Sequence, residues 1–206
     1  SGFDPDIFMN LKRAGKLAVD TPYSADLEFY EGLKTIKRAG KPFNKPTRMV
    51  MSESGEMFAS DGYGNAAVHK FAADGTYVKT WGGPGYGVGE YRLPHGLWVD
   101  KLQRLWVADR ENNRVQVYTT DGEQIAVVDE LIYRPAEVWS DNDYIYIGEV
   151  DGGITIMDMD MNIKAQLGYY WSPLMCHGLC GDSKSNLYIQ SLHLSKVNNL
   201  LKLVRV

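Results

Sequence analysis

The stretch LPHGLWVD (93–100) sets a histidine between a proline and a glycine at the head of an alternating apolar run. CHGLCGD (176–182) repeats the pattern H-G-L-x-x-D 82 positions later. The surroundings repeat as well. KPTRMVMSESGEMFASDGYGN (45–65) aligns without a gap on LPHGLWVDKLQRLWVADRENN (93–113), with Pro46 on Pro94, Phe58 on Trp106 and Asp61 on Asp109. A third copy opens at Pro135 and a fourth at Cys176, which gives periods of 48, 41 and 41 residues. Each copy holds short alternating runs separated by turn signals, of which Asp74-Gly75 and Asp121-Gly122 are the hairpin kind. Strands of four to six residues recurring every forty-odd positions predict an all-β fold, a β-propeller of four-stranded blades.

The predicted blades are 46–93, 94–134, 135–175 and 176–206. DIFMNLKRAGKLAVD, within 1–20, reads as the outer part of an earlier blade, and 21–45 as a long polar connecting loop. Four to four and a half blades leave strand edges open. The expectation is therefore a larger propeller, of six blades, of which this is the C-terminal two-thirds, or a homo-oligomer in which another copy covers the edges.

Bulk composition agrees. With 206 residues the chain can bury one sizeable core, and its 21 glycines and 12% aromatic content suit strands joined by tight turns. A net charge of −4 leaves no electrostatic footprint for nucleic acid or an anionic membrane surface. No apolar run approaches the ~18 residues of a membrane-spanning helix. Cys176 and Cys180, if they share a strand, stand ~13 Å apart, too far for a disulfide. The compartment is left open.

The residue after the blade-opening position is Thr47, His95, Ala136 and His177 in turn, so histidine occupies alternate blades. The first strand of a blade lines the central channel. In a six-bladed ring, three such histidines would meet with three-fold geometry, the donor set of a catalytic zinc. Against this stands a plainer reading, in which each histidine hydrogen-bonds a neighbouring blade. Tyr63 and Arg110 sit in matching loops after the second strand of successive blades. An arginine or a metal beside a phenol favours its ionised form, and such a tyrosine can act as general base. Asp61 and Asp109 precede them and read as turn-tying carboxylates that accept backbone N–H bonds.

Other features read more plainly. DMDMN (158–162) has the alternating acids of a calcium loop but lacks its glycine and later glutamate, so it is a turn. His69 and His193 are structural. GGPGYGVGEY (82–91) follows no strand-to-helix pattern and reads as a mobile rim loop beside the site. Met175, two residues before His177, is a candidate site wall.

SDGYGNAAVHKF, LPHGLWVD and VADRENNRVQVY resemble the NHL-repeat six-bladed propellers, and more narrowly the peptidyl-α-hydroxyglycine α-amidating lyase group. The resemblance implies a zinc held by three histidines, a tyrosine that takes the substrate's hydroxyl proton, and arginines that hold its carboxylate. The C–N bond then breaks to give a peptide amide and glyoxylate. Carried over by motif, His95 and His177 match metal ligands, Tyr63 the base, Arg110 a substrate-binding arginine, and Met175 the methionine beside the last ligand. The third ligand and a second arginine belong to blades outside this chain. Gly178 stands where the lyases have a calcium ligand, and their cysteines are absent from DGYGN and NNRVQVY. The expectation is a zinc-dependent lyase-like, or related hydrolase-like, propeller acting on a small or peptide-like substrate at the channel mouth. Its alternative is a non-catalytic NHL propeller that serves as a binding scaffold.

Overall fold

The computed structural model describes residues 43–151, 153–168, 174–191 and 200–205, which fall in one compact unit, Arg38–Val206. The expected blade part at 1–20, most of the 21–45 connection, and His193 lie outside the described residues. The described residues build four antiparallel sheets, each a simple meander. The first holds β1 (Pro46–Met51), β2 (Met57–Asp61), β3 (Ala67–Phe71) and β4 (Tyr77–Gly82). The second holds β5 (Pro94–Val99), β6 (Arg104–Asp109), β7 (Arg114–Thr119) and β8 (Gln124–Val128), with a 3-10 turn at Arg110–Asn112. The third holds β9 (Pro135–Ser140), β10 (Tyr144–Glu149), β11 (Ile154–Asp158) and β12 (Ile163–Leu167). The fourth shows three strands among the described residues, β13 (Cys176–Gly181), β14 (Leu187–Ser191) and β15 (Leu200–Leu203). The first strands stand side by side, β1 against β5, β5 against β9 and β9 against β13, which is the propeller arrangement.

Apolar faces explain why the sheets stack. Trp106, Val115 and Val117 of the second blade bury against Val138, Ile145, Ile147 and Met157 of the third. Trp139 and Tyr146 of the third meet Cys176, Leu179, Leu187 and Ile189 of the fourth. The inner strand β9 is buried along its whole length, whereas β8 alternates between half-buried and exposed positions, as an outer strand with one wet side must. Cys176 is a buried and Cys180 an exposed free thiol on the same strand.

Two local devices recur from blade to blade. The turns between strands place their fourth residue in the left-handed region, at Gly75 (φ +86°), Gly122 (+78°) and Met161 (+69°). DMDMN is thus one of these hairpins: the Asp158 N–H donates to the Asn162 carbonyl at 3.0 Å, and its carboxylate accepts the Asp160 and Asn162 N–H groups. The second device is a buried carboxylate closing the second strand of each of the first three blades. Asp61, Asp109 and Glu149 accept the backbone N–H of Asn44, Arg92 and Tyr133 at 2.7, 2.8 and 2.6 Å. Each donor lies two residues before the proline that opens the same blade, so the carboxylate fixes where the first strand begins. Asp109 also accepts from Asn112, from Arg114 Nε at 2.7 Å and from Gln116.

An ion pair reaches from the first blade to the third. Arg48 of the first blade reaches Glu137 of the third at 3.4 Å, past Gly96 of the second. Burial drives the Glu137 carboxyl up to about 7, with Arg48 opposing. Between its ordinary value of 4.5 and about 7, the unfolded chain releases this proton while the folded chain keeps it. The Glu137 contribution to stability therefore falls as pH rises through that window and levels off above it.

Two outcomes follow. Glu137→Gln removes a contribution that falls between pH 4.5 and 7, so its urea midpoint changes more positively across that window than the parent chain's; an unchanged slope would place the pH dependence elsewhere. Asp109→Ala, which strands Arg114 and several buried donors, costs about 3–5 kcal/mol in the same assay. A loss below about 1 kcal/mol would mean that water replaces the carboxylate.

Candidate functional site

The ladders between first and second strands skip a residue at the same place in every blade. Pro46 pairs with Asp61 and Arg48 with Ser60, which leaves Thr47 without an opposite. In the second blade the skip falls between Pro94 and Leu97, in the third at Ala136, and in the fourth at His177. Such β-bulges bend the strand and turn the extra side chain out of the alternation. The two histidines of the H-G-L pattern stand at this point, and the structure brings them together: their ring centroids are 4.7 Å apart at 74°.

His95 is buried, and its Nδ1 lies 2.7 Å from the Ala136 carbonyl oxygen of the third blade. A carbonyl only accepts, so Nδ1 carries the proton and Nε2 presents a lone pair. Gly96 makes this approach possible, since a Cβ there would lie 2.5 Å from Glu137 Cα and 2.6 Å from the Ala136 oxygen. The hydrogen bond to a neighbouring blade is therefore present, and it prepares the other nitrogen instead of competing with it.

Nε2 lies 3.2 Å from the Tyr63 hydroxyl. Gly62 lets the first blade's loop settle on the second, where a Cβ would stand 2.3 Å from the Pro94 oxygen. The Tyr63 N–H donates to the Lys45 carbonyl at 3.4 Å, and the Arg110 N–H to that of Leu93 at 3.2 Å. Both loops are thus pinned to the residue before a blade-opening proline. Arg110 Nη1 donates to the Tyr63 hydroxyl at 3.2 Å, with the guanidinium 5.5 Å above the phenol ring. Donors run in one direction, from Arg110 to Tyr63 to His95 Nε2.

Both imidazoles favour the neutral form. Burial first, then Arg110 and His177, lowers His95 to about 3 against the pull of the Ala136 carbonyl. Burial and Arg110 lower His177, while a hydrogen bond with Gln190 opposes them. Neutral imidazoles beside a fixed cation suit a metal or an anionic ligand. Among the described residues, no group of three histidines, cysteines or carboxylates is placed to hold a metal ion.

Met175 is half-buried two residues before His177. His69 is structural in its contacts, with Nδ1 2.7 Å from the Thr80 hydroxyl and Nε2 3.3 Å from the Asp61 carboxylate. The reading of 82–91 as a mobile loop needs correction. Arg114 donates to the carbonyls of Tyr86, Gly87 and Glu90, Asn112 to that of Gly85, and Gln116 to that of Glu90. A segment held at that many carbonyls is a fixed rim. Sequence reading also passed over Glu111 and Arg134. Glu111 Oε1 accepts from Arg110 Nε at 2.9 Å and from Arg134 Nη2 at 3.0 Å. The signals were present, Glu111 inside ADREN and Arg134 immediately before a blade-opening proline.

Comparison with known proteins bears on the repeat and the fold. Residues 91–118 match the NHL repeat model. The chain is 38% identical over 89 residues to peptidyl-alpha-hydroxyglycine alpha-amidating lyase 1 of Drosophila melanogaster, covering 39% of this chain and 16% of that protein. It is 35% identical over 81 residues to mouse NHL repeat-containing protein 3, covering 38% of this chain and 23% of that one. The chain thus matches less than a quarter of either relative's length. Among solved structures, virginiamycin B lyase from Staphylococcus aureus superposes with a TM-score of 0.58 at 13% identity, over 80% of this chain and 57% of that one, a likeness of fold. Repeat, bulged inner strands and sequence likeness together make this a β-propeller chain with an NHL-repeat match at residues 91–118, similar over part of its length to the peptidyl-α-hydroxyglycine α-amidating lyases.

Proposed function

We propose that the His95–His177 pair, with Tyr63 and Arg110, forms part of a zinc-dependent carbon–nitrogen lyase site for an α-hydroxyglycine-type substrate. The observation that carries the reading is the 4.7 Å approach of two imidazoles from alternate blades, one with its Nε2 lone pair fixed toward the site. The donor set fits zinc in kind, since neutral imidazole nitrogen is a preferred ligand. His95 and His177 would hold the ion as two of the three protein ligands usual in a catalytic site. Zinc so bound would supply Lewis-acid polarisation of the substrate's hydroxyl oxygen.

The chain's own residues account for the rest. Arg110, always charged, suits the carboxylate that ends an α-hydroxyglycine, and its Nη1 bond holds the Tyr63 oxygen in place. Holding the ion would take His95 Nε2 away from the Tyr63 hydroxyl, whose oxygen, once deprotonated, takes the substrate's hydroxyl proton. The C–O bond then becomes a carbonyl as the C–N bond breaks, and the departing amide nitrogen takes the electron pair and a proton. The products are an amide and glyoxylate. A binding-scaffold reading rests on the comparable match to NHL repeat-containing protein 3, and one measurement separates the two.

Purified protein is assayed for metal content and for glyoxylate release from an N-acyl-α-hydroxyglycine. The lyase reading expects near-stoichiometric zinc that His95→Ala abolishes, and a roughly 10²–10⁴-fold lower kcat in Tyr63→Phe with metal retained. Less than about 0.2 zinc per chain, with turnover absent, overturns it in favour of the scaffold.

A further inference from the structure

We infer that Glu111 is a positioning residue whose carboxylate gathers Arg110 and Arg134 from two blades and aims the Arg110 guanidinium at the Tyr63 hydroxyl. The inference rests on the lyase reading for its use but not for its geometry. Glu111 is almost fully buried, with a side chain 4% exposed, and one oxygen serves both cations. Arg110 gives it Nε at 2.9 Å, and Arg134 gives it Nη2 at 3.0 Å and Nε at 3.3 Å. Guanidinium is planar, so fixing Nε–H fixes the directions of the outer nitrogens. With Nε held from one side, Nη1 reaches the phenol oxygen at 3.2 Å.

Arg134 is held with equal care. It is a non-glycine residue at φ +47°, a conformation that L side chains rarely adopt. Its N–H donates to Asn113 Oδ1 at 2.9 Å, and its carbonyl accepts from the Val150 N–H at 3.0 Å. Asn113 ends the 3-10 turn that carries Arg110 and Glu111. The turn is therefore fastened to Arg134 twice, through a side-chain amide and through a carboxylate. Asp151, 3.3 Å from Nη1, takes the far side of Arg134. Burial alone would raise Glu111, yet Arg134 and Arg110 bring it below the usual carboxylate range, so it stays an anion between them. Both guanidiniums also act on the His177 ring, which they help to keep neutral. The second blade supplies the arginine that meets Tyr63, and the third supplies the counterweight that sets its angle.

The test uses the whole chain labelled with nitrogen-15. The Arg110 Nε–Hε signal is assigned by its loss in Arg110→Lys, and its exchange with solvent is timed. The parent chain should show an Hε exchanging at least about tenfold slower than in free arginine, as a charged hydrogen bond requires. Glu111→Gln should erase most of that protection, and Glu111→Asp should restore part of it. The same Glu111→Gln change should weaken binding of glycolate, a probe with both hydroxyl and carboxylate, by about tenfold. A parent Hε that exchanges like free arginine overturns the inference even if Glu111→Gln does not fold. So does a Glu111→Gln chain that melts lower while its Arg110 signal stays protected, for then Glu111 only staples blades. A parent chain without zinc or glyoxylate release overturns the lyase reading alone, because the exchange measurement needs no turnover.

Discussion

In an antiparallel ladder a residue with no opposite number cannot keep to the alternation; Thr47, Ala136 and His177 are such residues, and His95 stands at the matching place, where it and Gly96 face Ala108 alone. Each lies one position past the start of an innermost strand, where the blades crowd the channel. The surrounding architecture serves to hold that irregularity in place. Buried Asp61, Asp109 and Glu149 fix the approach to the strand from two residues upstream of its proline. Downstream, Leu97, Val138 and Leu179 return to the regular ladder and to the core. Between a fixed entrance and a fixed exit, the extra residue has a single way to turn.

Contacts between blades then convert position into chemistry. Gly62 and Gly96 are the places where one blade's backbone comes nearer the next than any side chain would permit. Across the first, the Tyr63 loop is laid against the second blade; across the second, the Ala136 carbonyl fixes the proton of His95. Hydrogen-bond direction along Arg110, Tyr63 and His95 follows from one acceptor-only oxygen in the third blade. Glu111 and Arg134 extend the same principle, with charge in place of a backbone carbonyl.

Much of this was legible in the residues. Ungapped alignment of 45–65 on 93–113 exposes the blade, and the alternation of threonine, histidine, alanine and histidine at one repeat position exposes the pair. The reasons for that position were not legible. Periodicity marks which face a residue takes in a regular strand, and a bulge breaks regularity without changing composition. The Arg110–Glu111–Arg134 chain was missed because its members are bland singly and become a unit only when two blades dock. Loop 82–91 looked loose because its glycines advertise backbone freedom, whereas its restraints are the side chains of Arg114, Asn112 and Gln116, a whole strand away.

His95 belongs to the second blade and His177 to the fourth, with the third between them. Anything gripped by both rings spans two blade interfaces at once, like a strut across an arch. Its binding free energy is then shared with the docking of the third blade on each side, and occupancy raises the resistance of the whole arc to opening by RT ln(1 + [L]/Kd). Loosening of either interface separates the rings and releases the ligand. In such an arrangement retention of a small molecule and mechanical integrity of the propeller become one property.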